Sequence, residues 1–194
     1  KLLRSWGASG MGIGMKESSG VVAANNEIMG NAVGIFLDLS PYDPDATNQF
    51  ERNQVAYNGT GVEFSADWES NVFRNNSFNT NFTQIAVRGN GTAMRETWEQ
   101  NYWDDFTGFD EDHDGKGDSP FEIYSYADRL WMENREANFF RGGFALEALD
   151  FIERLAPFSE PRLLMRAQNP PVQPPVMAEA EKKKPTDALE LLLQ

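Results

Sequence analysis

Residues 61–87 read GVEFSADWESNVFRNNSFNTNFTQIAV, and they decide the fold because they hold one full turn of a pattern that the chain repeats. The apolar strand Gly61-Val-Glu-Phe64 returns as Gln84-Ile-Ala-Val87, and it is found upstream as Gly12-Ile-Gly-Met15 and Gly34-Ile-Phe-Leu37. Its anchors Ile13, Ile35, Val62 and Ile85 lie 22, 27 and 23 residues apart. A second strand recurs around an asparagine, as Asn26-Glu-Ile28, Asn53-Gln-Val55, Asn76-Ser-Phe78 and Asn101-Tyr-Trp103. Three residues before each asparagine stands Ala23, Phe50, Phe73 or Trp98. Two apolar columns beside an asparagine column, at a period of about two dozen residues, mark a solenoid.

The repeated strands are short, alternate with a period of two, and are separated by Gly, Asn, Ser and Thr turns with no helical stripe between them. That pattern predicts an all-β chain: a right-handed parallel β-helix of about four coils, with Met15, Leu37, Phe64 and Val87 aligned inside. Thirteen of the sixteen asparagines fall in residues 25–101, where they suit turns that hydrogen-bond the coils above and below and accept left-handed backbone. The same chemistry accounts for the Asn-X-Ser/Thr triplets at Asn58, Asn75, Asn81 and Asn90 without glycosylation. The coil containing Ser40-Pro-Tyr-Asp-Pro-Asp-Ala46 is the longest, so this segment is expected to protrude.

An open solenoid end exposes unpaired strand edges and needs a cap. The repeat stops at Trp103, and the next residues are Gly108-Phe-Asp-Glu-Asp-His-Asp-Gly-Lys-Gly-Asp118. Asp110, Asp112, Asp114 and Asp118 occupy positions 1, 3, 5 and 9 of a loop with Gly115 at position 6, the arrangement that a calcium ion requires. Asp110, Asp112, Asp114, Lys116 and Asp118 are therefore the candidate metal set, for a structural calcium. Position 12, where an EF-hand places a bidentate glutamate, is Phe121, with Glu122 one place late. The loop thus resembles thrombospondin-type or dockerin-type aspartate loops more than an EF-hand sensor.

Composition sets the outer limits. A chain of 194 residues holds one domain with a core, plus appendages. A net charge of −13 argues against a nucleic-acid partner, which needs a basic surface. With no cysteine and with His113 as the single histidine, thiolate and histidine-rich metal centres are excluded within the chain. No apolar run is long enough to span a membrane. The chain begins Lys1-Leu-Leu-Arg rather than with Met, and it reads as a fragment that lacks a signal peptide for that reason.

The expected organisation is 1–105 coils, 106–125 aspartate loop and cap, 126–165 helical docking segment, and 166–194 disordered tail. The helix is read from Phe144, Ala148, Phe151 and Leu155 on one face; the tail is read from its Pro- and Lys-rich composition.

Two further groups invite chemistry. The outward column Lys16, Asp38, Ser65 and Arg88 could serve a polysaccharide-active face, but a solvated charge ladder explains it with less. Seven methionines offer soft thioethers for Cu(I), although Met15 falls in the interior column and reads as core. Met11 and Met29, in the first coil, and Met94, in a turn, are the remaining candidates near the coils.

The coils ending in Asn101-Tyr-Trp-Asp-Asp105, the aspartate loop with Ser119-Pro-Phe-Glu-Ile123, Tyr124-Ser-Tyr-Ala-Asp-Arg-Leu-Trp131 and Leu155-Ala-Pro-Phe-Ser-Glu-Pro161 together resemble the C-terminal part of the NosD family. The resemblance covers roughly residues 10–166. It implies a periplasmic, non-enzymatic accessory protein that helps mature the copper sites of nitrous oxide reductase. The implied partners are an ABC transporter permease and ATPase, a copper-chaperone lipoprotein and the reductase itself. Copper would be handled transiently, and no position matches a ligand motif. Aromatic aspartate-loop coils are shared by carbohydrate-binding β-helices, so a secreted carbohydrate-binding or polysaccharide-active protein is the alternative. A surface-layer solenoid is a third reading.

Overall fold

A computed structural model describes residues 2–3, 10–89, 91–125 and 162–175. A short strand β1 (Leu2–Leu3) is followed by four coils of three strands each. The first coil is β2 (Met11–Lys16), β3 (Val22–Ala24) and β4 (Glu27–Met29); the second is β5 (Val33–Asp38), β6 (Asn48–Glu51) and β7 (Gln54–Ala56). The third is β8 (Thr60–Phe64), β9 (Asn71–Arg74) and β10 (Ser77–Asn79), and the fourth is β11 (Thr83–Val87), β12 (Thr97–Glu99) and β13 (Tyr102–Trp103). Equivalent strands pair in parallel into three sheets, ordered β2-β5-β8-β11, β3-β6-β9-β12 and β1-β4-β7-β10-β13. The expected parallel β-solenoid of four coils is the observed fold.

Register follows the sequence columns. Ile13, Ile35, Val62 and Ile85 are successive partners, as are Met15, Leu37, Phe64 and Val87. Ala23, Phe50, Phe73 and Trp98 align in the second sheet, and Leu3, Ile28, Val55, Phe78 and Trp103 in the third. A parallel register sets like side chains one strand spacing apart, so aromatic columns stack. Phe50, Phe73 and Trp98 follow one another at 4.8 and 4.3 Å, and Trp103 lies 4.3 Å from Phe78.

Three asparagine ladders hold the corners. In the first, Asn26, Asn53, Asn76 and Asn101 each donate or accept in one direction. The Asn76 Oδ1, for instance, accepts the backbone N–H of Asn53 at 2.9 Å and its Nδ2 at 3.0 Å. The Asn76 Nδ2 then donates to Asn101 Oδ1 and to the Phe50 carbonyl. Asn31, Asn58 and Asn81 repeat this at a second corner, and Asn48 and Asn71 form a third. Asn58 and Asn81 are thereby committed to the ladder, which is why their Ser/Thr triplets are turn chemistry.

The left-handed backbone falls on the residue before the ladder asparagine. Asn25, Arg52, Asn75 and Gln100 precede the first ladder with φ of 50–56°, and Gly30, Tyr57 and Thr80 precede the second. This turn aims the next N–H and amide at the ladder, and a non-glycine residue there costs roughly 1–2 kcal/mol that the ladder bonds offset. The glycines of the β2, β5 and β8 column serve the second ladder: a Cβ on Gly34 would lie 2.6 Å from the Gly61 carbonyl and 3.1 Å from Asn58 Nδ2.

After the coils, β14 (Phe121–Ser125) pairs antiparallel with β15 (Arg162–Ala167). Here the structure departs from the expected boundary at residue 166. Strand β15 runs through it, and the segment beyond packs on the aspartate loop: Gly117 N–H donates to the Pro170 carbonyl, and Val172 N–H to that of Gly115. Prolines at 170 and 171 only need to accept, so a Pro-rich run serves as an edge that a composition argument reads as disordered tail. Phe121 caps Trp103 at 5.0 Å, while Leu164, Met165 and Ala167 are buried from the other strand. No helix occurs among the described residues. The docking helix expected over Phe144–Leu155 lies outside them.

Candidate functional site

The aspartate loop begins where the last coil ends. Phe106 turns under the coil and packs edge-on against Phe121 at 6.2 Å. Gly108 and Gly117 leave room for its ring, since a Cβ at either would come within 2.2 Å of Phe106 Cζ. Gly115, with φ +84°, supplies the turn. Gly115 is thus needed for backbone freedom, and Gly108 and Gly117 for close packing.

Carboxylate oxygens of Asp110, Asp112 and Asp118 all lie within 4.8 Å of one another. The loop amides are already turned toward them. Asp110 accepts from the N–H groups of Asp114 and Gly115, at 3.1 and 2.9 Å. Asp112 also accepts from Asp114 N–H, and Asp118 accepts from Glu111 N–H at 2.6 Å. The Asp114 carboxylate is not among these three. The Asp114 carboxylate accepts the Lys116 N–H at 2.8 Å, and Lys116 bridges Pro171. His113 sits on the loop with Nδ1 at 3.0 Å from the Glu111 carbonyl, outside the carboxylate group. Three hard oxygen donors beside one another suit a cation such as Ca²⁺ or Mg²⁺.

Soft donors are placed differently. Met15 and Met165 are buried in the core, Met94 is exposed in its turn, and the Met11 sulfur packs over Gly14. The carboxylates that the described residues bring together suit a hard cation.

The outward column is a chain of satisfied polar contacts. Asp38 accepts from Ser65 Oγ at 2.6 Å and lies 3.8 Å from Lys16 Nζ; Arg88 Nε donates to Glu63 at 2.6 Å and its guanidinium lies 4.9 Å over Phe36. Asp67 and Glu69 are both held by Arg95.

The residues that sequence reasoning missed are the ends of the ladders. Glu96 takes the place of an asparagine after Asn48 and Asn71: its Oε2 accepts the Asn71 N–H at 2.8 Å and its Oε1 the Asn71 Nδ2 at 3.2 Å. Only 6% exposed, its carboxyl is pushed up to about 7 by burial, against the pull of both Asn71 bonds. At the second corner Gln84 stands where glycine stood in three coils. It accepts from Asn81 and donates to Asp104 at 2.7 Å, while Asp104 also accepts the Thr80 N–H. Asp105 is raised above the ordinary carboxyl range by burial of its carboxyl and then by the charge of Asp104. The signal for Glu96 was available as a 25-residue step from Asn71, in a column whose earlier members are asparagines.

Comparison with known proteins covers the coils. A family model described as "Periplasmic copper-binding protein (NosD)" matches residues 4–108. A protein of Pseudomonas aeruginosa named "Probable ABC transporter binding protein NosD" is 30% identical over 115 residues, which are 57% of this chain and 26% of that protein. A protein of Stutzerimonas stutzeri with the same name is 26% identical over 132 residues, 66% of this chain and 28% of that one. The chain thus spans about a quarter of the length of the curated relatives it matches. With all four coils inside the family match, the chain belongs to the NosD family.

Proposed function

We propose that this chain is part of a periplasmic accessory protein that acts in maturation of the copper sites of nitrous oxide reductase. It works as a binding component rather than a catalyst, beside an ABC transporter permease and ATPase and a copper-chaperone lipoprotein. The observation that carries this reading is the family match across residues 4–108, which includes every coil. The relatives' name, ABC transporter binding protein, supports the transporter as partner. Copper is cargo in this reading, and no ligand for it is assigned among the described residues. The Asp110, Asp112 and Asp118 cluster is the seat of a structural calcium that ties the loop under the last coil.

The test is to remove the protein from a cell that makes nitrous oxide reductase and measure copper bound per reductase. Depleted reductase, restored by the full-length protein, is the expected result. A fully loaded reductase in its absence defeats the proposal. Co-purification with the permease and ATPase tests the partner assignment separately.

A further inference from the structure

The turns that follow β2, β5, β8 and β11 share one corner of the solenoid, and each brings a large apolar residue to it. Val22 opens β3 directly after the first turn, Tyr42 lies in the second, Trp68 in the third and Met94 in the fourth. Val22, Tyr42 and Met94 are 63%, 61% and 42% exposed, and Trp68 is half-buried. None of the four belongs to the hydrophobic core or packs against it from outside. Equivalent turns stand one strand spacing apart, so the four residues form a ridge about 15 Å long beside the coils.

Bonds between coils hold the ridge in place. Ser19 Oγ in the first turn accepts the N–H groups of Tyr42 and Asp43, at 2.9 and 2.8 Å. The Trp68 indole N–H donates to the Pro41 carbonyl at 2.7 Å, and Asn71 Nδ2 donates to the Ser40 carbonyl at 2.9 Å. Arg95 in the fourth turn reaches back to Asp67 at 3.3 Å and Glu69 at 3.4 Å in the third. Side chains carried on such a frame lose less freedom when a partner docks, and Tyr, Trp, Met and Arg are the residue types that protein interfaces favour.

The charge of the ridge selects the partner. Glu17, Asp43, Asp45, Asp67 and Glu69 are exposed around the apolar residues. Against them stands Arg95, already held by two of them, while Arg88 at the edge is taken by Glu63 and Lys16 faces Asp38. An acidic rim around apolar anchors repels anionic surfaces and complements a basic one.

We propose that this ridge docks on the ABC transporter, against a basic patch with an apolar centre on the transporter's extracytoplasmic side. Tyr42 and Met94 are the apolar anchors, and Asp43 and Asp45 steer the approach. The inference rests on the transporter reading above and adds the surface through which it acts. Its occupant is argued from the acidic rim and from the relatives' name, ABC transporter binding protein.

The test measures binding of the full-length protein to the permease–ATPase complex in lipid nanodiscs, with empty nanodiscs as reference. Tyr42→Ser combined with Met94→Gln should weaken binding on the order of tenfold or more. Asp43→Asn combined with Asp45→Asn should weaken it roughly threefold to tenfold and flatten its fall with rising salt. Tyr57→Ser, at an equally exposed position on another corner, should change nothing. If the wild type binds and both double variants bind as tightly, the ridge is not the docking surface and the transporter reading stands. A wild type that ignores the transporter overturns the inference and the partner assignment together, while copper loading of the reductase still judges the accessory role. Equal binding to empty nanodiscs, or a change in the protein's own oligomeric state in the Tyr42 and Met94 variant, gives the ridge a different occupant and overturns the proposal. If that variant does not fold, the charge variant and the salt dependence decide.

Discussion

The coils and the cap solve the same problem, unpaired backbone N–H groups at turns, with different acceptors. In the coils the acceptors are asparagine amides, buried and neutral, each passing a donor to the next coil. In the cap they are carboxylates, and residues 104–118 hold seven acidic side chains against Lys116. An amide both gives and takes, so it propagates a ladder; a carboxylate only takes, so it ends one. Charge accumulates in this protein where repetition stops, at Glu96, at Asp104 and Asp105, and in the aspartate loop. The coils should therefore be indifferent to pH and to ions, and their closing end should not be.

The largest effect belongs to breaking a ladder. Asn76→Ala removes the acceptor of the Asn53 N–H and Nδ2 and the donor to the Phe50 carbonyl in a buried corner, while Asn101 Oδ1 keeps the backbone N–H of residue 76. Each buried orphan costs about 1–3 kcal/mol, so a loss of about 3 kcal/mol or more is expected in urea unfolding. A loss under about 1 kcal/mol would mean that water enters these corners and that the coils do not depend on the amides.

Next in size is the pH dependence of Glu96. Its carboxyl is raised in the folded protein, from 4.5 to about 7, so the folded state holds the proton more tightly. The stabilisation is full below the ordinary value and is lost as pH rises through about 7. The span is about 3 kcal/mol at most, and Glu96→Gln should flatten it in unfolding measured at several pH values. A wild-type protein whose stability rises steadily across that window contradicts the assignment.

These two predictions also mark what was legible. The solenoid was, because a parallel register converts a sequence period directly into contacts: Val62 over Ile85 and Phe73 over Trp98 follow from counting. The carboxylate cluster was legible in part. Of the five candidate ligands, Asp110, Asp112 and Asp118 bring their carboxylates together, while the Asp114 carboxylate accepts the Lys116 N–H. Glu96 was hidden because its meaning depends on Asn71 in the coil before it, at a step of 25 residues, and not on any neighbour in sequence. Strand β15 was hidden because its partner β14 lies 44 residues away along the Glu122–Arg166 contact, with prolines following that suggest a tail.

The cap offers a third comparison with the coils. With calcium in the aspartate loop at a hundredfold excess over its dissociation constant, linkage gives about 2.7 kcal/mol of added stability to whatever unfolds with the loop. A chelator should then lower the melting temperature, and Asp110→Asn, which keeps the acceptor toward Gly115 N–H and removes the charge, should abolish the response. A melting curve unmoved by either calcium or chelator removes the ion from the account and leaves Asp110 as a turn acceptor alone.

The smallest effect is expected on the outer face of the coils, where charge is present without ending anything. Asp38 accepts from Ser65 and faces Lys16, whose side chain is 71% exposed. Replacing Asp38 with Ala removes one hydrogen bond and one screened ion pair, and such pairs contribute about 0–1 kcal/mol. The change should be below about 1 kcal/mol and should shrink further in high salt, since water replaces the lost acceptor at a surface position. That contrast with Asn76 is the sharpest form of the comparison: two polar side chains on one solenoid, both bonded across coils, separated by whether solvent can stand in for them. A loss at Asp38 as large as the one at Asn76 would show that the outer face shares in holding the coils together.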